Sequence, residues 1–177
     1  WANSALTNPA FTAAASQRLL GEGSGASHTF NSDQGTFNLP AGSGLATKPA
    51  ITSNAANVTT LANGCEVSNF TINNTNVAIN ASGLTGTESL NRLTLSGGAT
   101  GFNFQNCSGT INIDSNSSAT NTTTSAFTVN QNSANITYSG TITVSAGRPM
   151  TVSARSGGTL TFGGTVTSTG GSGISIT

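Results

Sequence analysis

A glycosidic bond is cut by two carboxyl groups, one protonating the leaving oxygen while the other activates water or attacks. This chain has five acids from which to build such a pair: Glu22, Asp33, Glu66, Glu88 and Asp114. Glu66 and Glu88 stand shortly before Val67 and Leu90, at similar points of successive repeats, and are the candidate pair. The competing reading of both is a solvated or arginine-paired role, with Arg92 and Arg155 as partners. A calcium-dependent lyase needs several carboxylates around the ion plus a base, and Asp114 has no second acid near it in the chain. His28 is the only histidine, and no Gly-x-Ser-x-Gly turn or Asp partner builds it into a triad, so it reads as a structural or surface residue. The run Gly21, Glu22, Gly23, Ser24, Gly25 lacks the lysine and following helix of a phosphate loop and reads as a turn. Cys65 and Cys107 have neither the Cys-x-x-Cys spacing nor the Cys/His grouping of a zinc site. No catalytic residue, cofactor or metal ligand is expected.

The elements that would position these groups are short strands. Only 6% of the 177 residues are charged and the formal net charge is zero, which disfavours nucleic acid and anionic lipid as partners. No run approaches the roughly 20 apolar residues of a membrane helix, so no membrane insertion is expected. Lys and Glu are scarce while Thr, Ser, Asn and Gly dominate, a composition for strands and turns rather than helices. The first residue is Trp1, which suggests a processed or excised segment. Eight Asn-X-Ser/Thr triplets begin at Asn57, Asn69, Asn73, Asn80, Asn106, Asn116, Asn121 and Asn135; with twenty-one Asn in a Ser/Thr-rich chain, chance and glycosylation both stay open.

An internal repeat organises the strands. Apolar-X-apolar followed by a small polar turn recurs at Val77/Ile79, Phe102/Phe104, Phe127/Val129, Met150/Val152 and Ile174/Ile176, with second members 25, 25, 23 and 24 residues apart. A second column reads Phe70/Ile72, Leu93/Leu95, Ile111/Ile113, Ile142/Val144 and Val166, and a looser third Val67, Leu90, Ile136/Tyr138 and Leu160/Phe162. Strands this short bury an apolar face only by stacking on neighbouring repeats, which is the logic of a solenoid. Asn63-Gly64 is the single hairpin-type Asn-Gly and does not recur, which argues against a sandwich. Five or six coils from Leu61 onward give a rod of roughly 25–30 Å at strand spacing. The polar stretch 114–126 reads as a loop leaving the wall. Cys65 and Cys107 then lie two coils apart, about 9.6 Å. That exceeds the roughly 7 Å between Cα atoms that a disulfide spans, so two unbonded thiols, buried or lining turns, are expected.

The stretches QRLLGEGSG (17–25), TFNLP (36–40), KPAITS (48–53) and NVTTLANGCEVSNFTINNT (57–75) resemble the opening coils of pectin-lyase-like right-handed β-helices in large bacterial surface and secreted proteins. The resemblance covers residues 17–110, with Asn69 in place of the usual Gly, and beyond that only the coil rhythm continues. It implies an all-β, right-handed parallel β-helix with coils of about 18–25 residues, set outside the cytoplasm. It does not select an activity, because that family holds polysaccharide lyases, hydrolases, adhesins and autotransporter passengers alike.

The domain reading is an irregular N-terminal cap or strand-exchange segment over 1–30, then coils over 31–177. Outward positions of the second column are Thr71/Asn73, Thr94/Ser96, Asn112/Asp114, Thr141/Thr143 and Thr165/Thr167. Thr71, Thr94, Thr141, Thr143, Thr165 and Thr167 make a candidate binding wall for glycan hydroxyls or ordered water, or simply a soluble face; Asn112 and Asp114 interrupt it. Gly173, Ile174, Ser175, Ile176 and Thr177 form a strand with no cap after it, a candidate assembly edge for a second copy or for the rest of a longer chain. The leading expectation is a non-enzymatic extracellular structural or adhesive protein of the cell surface, stacking end to end into filaments. The alternatives are a carbohydrate-active enzyme and a module that binds glycan or ice.

Overall fold

The computed structural model describes residues 5–7, 10–22, 27–32, 34–39 and 47–177. Among them all regular structure is β-strand. The first coil holds β1 (Ala5–Thr7), β2 (Phe11–Thr12) and β3 (Arg18–Leu20), followed by an antiparallel hairpin of β4 (His28–Ser32) and β5 (Gly35–Leu39). The second coil is β6 (Ala50–Ser53), β7 (Asn57–Thr60) and β8 (Glu66–Ser68); the third is β9 (Thr71–Asn74), β10 (Val77–Ser82) and β11 (Thr87–Asn91). The fourth is β12 (Thr94–Gly97), β13 (Thr100–Gln105) and β14 (Thr110–Ile113), and the fifth β15 (Ser118–Thr120), β16 (Ser125–Asn130) and β17 (Asn135–Tyr138). The sixth is β18 (Thr141–Val144), β19 (Arg148–Ser153) and β20 (Leu160–Phe162), and β21 (Val166–Ser168) and β22 (Ser175–Ile176) begin a seventh.

Equivalent strands stack in parallel into three walls: β1-β6-β9-β12-β15-β18-β21, then β2-β7-β10-β13-β16-β19-β22, then β3-β8-β11-β14-β17-β20. The chain is therefore a parallel β-solenoid, as the repeat implied. On the first wall Ile72 pairs with Leu95, Leu95 with Ala119, Ala119 with Ile142 and Ile142 with Val166, steps of 23 or 24 residues. Each strand is too short to stand alone; its stability comes from inward side chains meeting those of the coils on either side. Phe127 shows this best. It is fully buried, with Phe102, Phe104, Tyr138 and Phe162 around it at centroid distances of 5.1–6.0 Å, three of the four edge-on.

The corners depend on tight backbone. Gly83, Asn106, Gln131 and Ala154 follow the second-wall strands in successive coils, and all four have positive φ, from 47° to 69°. Asn tolerates this region better than most residues, while Gln131 and Ala154 accept its steric cost inside a corner set by stacking. Gly109 has a different reason: a Cβ there would collide with the Gly86 carbonyl of the coil below.

Several sequence expectations need correction. Within residues 1–30, read as a cap or strand-exchange segment, β1, β2 and β3 pair in parallel with β6, β7 and β8 and form the first coil. Residues 114–126 do not leave the wall: β15 lies inside this stretch, paired with β12 and β18, and Ala119 is its buried inward residue. Ile111 and Ile113 belong to the third wall, beside Glu88 and Leu90, so they leave the second column and Ala119 takes their place. On the second wall Phe102 pairs with Ile79, not Val77, a slip of two residues. Such a slip preserves which face each side chain takes, so the core assignment survived it.

Candidate functional site

Glu66 and Glu88 are on opposite faces of the third wall. Glu66 pairs with Arg18 and Ser89 in the ladder and points outward. Arg18 Nε and Nη2 each lie 2.7 Å from Glu66 Oε2, and Arg18 Nη1 donates to the Thr29 carbonyl at 2.7 Å, which ties the hairpin to the first coil. Glu88 points inward, in the column continued by Ile111, Ile136 and Leu160, and is 0% exposed. Its Oε1 accepts the Gly64 N–H at 3.1 Å, while Oε2 is buried without a partner. Burial raises its carboxyl above the ordinary range, and the Gly64 bond offsets this only in part. The two glutamates thus do not form the candidate pair, and Glu66 takes the competing arginine-paired role, with Arg18. Nor are the expected arginines their partners: Arg92 Nε donates to Asn69 Oδ1 at 3.4 Å, and Arg155 Nη2 to the Ala134 and Gly157 carbonyls at 3.0 and 2.6 Å.

Cys65 and Cys107 are free and about 1% exposed, in agreement with the spacing argument. Burial pushes both thiols up, and the nearby Glu88 carboxyl acts in the same direction. The Glu88 carboxyl and the two thiols therefore share the core near the corner between the second and third walls, each held above its ordinary range by burial. A buried, neutral thiol is a poor nucleophile. Among the described residues no group of three His, Cys, Asp or Glu side chains is placed to hold a metal ion. Asp114 is occupied structurally. Its Oδ1 accepts the Arg92 N–H at 2.8 Å and the Ser117 hydroxyl at 2.6 Å, Asn116 Nδ2 donates to Oδ2 at 3.2 Å, and Ser117 Oγ accepts the Leu93 N–H at 3.1 Å. These bonds hold the turn into the first wall. The His28 side chain and Gly23, Ser24 and Gly25 lie outside the described residues; the His28 backbone is in β4, opposite Leu39.

The first wall is the most regular surface. One outward file runs Thr52, Asn73, Ser96, Thr120, Thr143, Thr167, each in direct register with the next. The parallel file runs Thr71, Thr94, Ser118 and Thr141, with Thr165 next in line. Ser118 and Thr120 stand where Asn112 and Asp114 were expected, so no charged residue interrupts either file; Asn112 is outward on the third wall, between Ser89 and Thr137. Thr141, Thr143, Thr165 and Thr167 are exposed. Lys48 reaches the file at one point, its Nζ donating to Thr94 Oγ1 at 3.0 Å. A shallow cavity of about 310 Å³ opens beside Thr52, Asn73 and Ser96.

The far end of the stack is apolar. Ile174 and Ile176 are 52% and 74% exposed and, with Leu160, Phe162 and Val166, line a cavity of about 430 Å³. Arg155 is on its rim, with Nη1 buried and unpartnered. Sequence reasoning missed that Glu88 lies in the core, although its position two residues before Leu90 carried the signal, since alternate residues of a strand share a face. Comparison of the chain with protein-family models, with curated proteins and with solved structures finds no match, so the fold and these surfaces are what bear on function.

Proposed function

We propose that this chain is a non-enzymatic structural or adhesive part of an extracellular or cell-surface protein, a right-handed β-helix of the pectin-lyase-like kind. The observation that carries the reading is the division of its polar groups. The carboxyl of Glu88 is sealed in the core, Glu66 and Asp114 are tied into structural contacts, and the outward files of the first wall from Thr71 onward show small uncharged hydroxyl and amide groups, touched by one cation, Lys48. The right-handed form and the extracytoplasmic setting rest on the resemblance of residues 17–110 to opening coils of that family. The apolar side chains and strand edge at Ile174 and Ile176 are a surface that a further coil can cover, either of a second copy, which is the end-to-end stacking proposed, or of a longer chain.

Light scattering over a concentration series tests this. The wild type should grow in mass with concentration, and Ile176→Lys, which places a charge on the proposed contact, should stay at 17.5 kDa. The same samples are assayed for release of reducing ends or unsaturated products from a panel of polysaccharides. A monomer at all concentrations would overturn the stacking, and turnover lost in Glu66→Gln would overturn the non-enzymatic reading.

A further inference from the structure

The first wall carries a repeating geometry that the solenoid fold does not by itself require. The walls need inward apolar residues; outward positions are free to vary, and on the third wall they do, as Arg18, Glu66, Ser89, Asn112 and Thr137. The second wall's outward file, Thr60, Asn80, Asn103, Thr128 and Thr151, is also uncharged, but its rungs are half-buried and Asn103 Nδ2 is bonded to Asn80 Oδ1 at 2.8 Å. On the first wall the file from Thr52 to Thr167 holds a hydroxyl or an amide at every rung. Among the described residues the hydroxyls of Thr141, Thr143, Thr165 and Thr167 have no protein partner, which leaves them to order solvent. Rungs repeat at about 4.8 Å, and two outward residues of one strand are separated by roughly 6.6–6.8 Å. The result is a two-dimensional array of hydroxyl groups, mostly with a methyl beside each hydroxyl, interrupted by the Asn73 amide and with Thr94 Oγ1 bonded to Lys48 and Thr120 Oγ1 donating to the Leu95 carbonyl at 3.3 Å, so that its last rungs are its free part.

From this geometry we infer that the first wall binds ice. Ice presents rows of oxygen atoms at comparable intervals in two directions, so waters held on successive threonines occupy places in its lattice. The methyl groups add apolar contact without the strongly oriented hydration that a charge would impose. A polysaccharide surface is the poorer fit, because sugar rings are usually held by aromatic faces and no outward position of the described first wall is aromatic. The array is most open in its last rungs, away from Lys48, where Thr141, Thr143, Thr165 and Thr167 are exposed. This inference deepens the adhesive reading above by naming the solid that the wall adheres to.

The test is thermal hysteresis and inhibition of ice recrystallisation by the purified chain. Wild type should show a freezing gap that grows with concentration and should shape ice crystals. Thr143→Tyr, which puts a bulky ring in the middle of the lattice, should reduce the gap several-fold, while Thr143→Ser should keep most of it. Thr137→Tyr, exposed on the third wall, should leave it unchanged. No gap and no recrystallisation inhibition from wild type with an intact β circular-dichroism spectrum would overturn the inference. So would equal losses in Thr143→Tyr and Thr137→Tyr. If light scattering still shows end-to-end assembly in that event, the structural reading stands and only ice binding fails.

Discussion

Replacing Glu88 by Leu should stabilise the protein, and by more at high pH than at low. Glu88 is 0% exposed in a column with Cys65 below it and Ile111 above, surroundings that accept an apolar side chain of similar size. Its unpartnered Oε2 represents a buried polar group left unsatisfied, a cost of about 1–3 kcal/mol. Against the gain stands the lost bond from the Gly64 N–H, worth about 1 kcal/mol and replaceable by water because Gly64 is exposed. The net expectation at pH 8 is up to about 2 kcal/mol of added stability, a rise in Tm of up to about 8 °C for a chain of this size.

The pH dependence gives an independent sign. Burial holds the folded carboxyl above its ordinary value of 4.5. The stability this group contributes is therefore fully present below 4.5 and is lost as the pH rises towards the folded value, because the unfolded chain releases the proton first. Urea unfolding of wild type and variant at pH 4.5 and pH 8 should show the gap between them widening at the higher pH. A variant no more stable than wild type at pH 8 would refute the placement of Glu88. A gap that does not change with pH would refute the upward shift of its carboxyl.

Two further outcomes test the core. Phe127→Ala removes the ring at the centre of the aromatic column and should cost about 3–5 kcal/mol in urea unfolding, with loss of the near-ultraviolet dichroism of its neighbours. Cys65 and Cys107 should resist a thiol reagent at pH 8 in the native protein and react together on unfolding, without prior reduction; rapid native labelling would contradict their burial.

The sequence was most legible where large apolar residues alternate. Phe102, Phe104, Phe127, Val129, Met150 and Val152 revealed the second wall, and Val67, Leu90, Tyr138 and Phe162 the third. It was least legible where a coil presents little apolar mass. Ala119 is the single inward residue of a three-residue strand inside a polar run, and its methyl group gives no periodic signal. Ile111 and Ile113 look the same in sequence whichever wall receives them; the choice follows from the corners, whose tight backbone depends on neighbouring coils. The N-terminal strands were hidden for another reason. Leu6 pairs with Ile51 across an insertion that includes the β4–β5 hairpin, so the repeat interval is lost there. The outward face of the first wall was read in part: its threonines from Thr71 onward were named, but Thr52 was missed, and Ser118 and Thr120 were missed because Asn112 and Asp114 had been assigned to their rung. Chemistry was the hardest to read, since two carboxylates at similar points of successive coils were separated by a single residue of register.

Electron microscopy of the purified protein, with diffraction from concentrated samples, most directly tests the claim that this chain is a self-stacking structural solenoid. Rods that lengthen end to end with an axial repeat near 4.8 Å, the spacing of stacked parallel strands, are expected. Isolated particles that never associate, or material without that repeat, would contradict that claim.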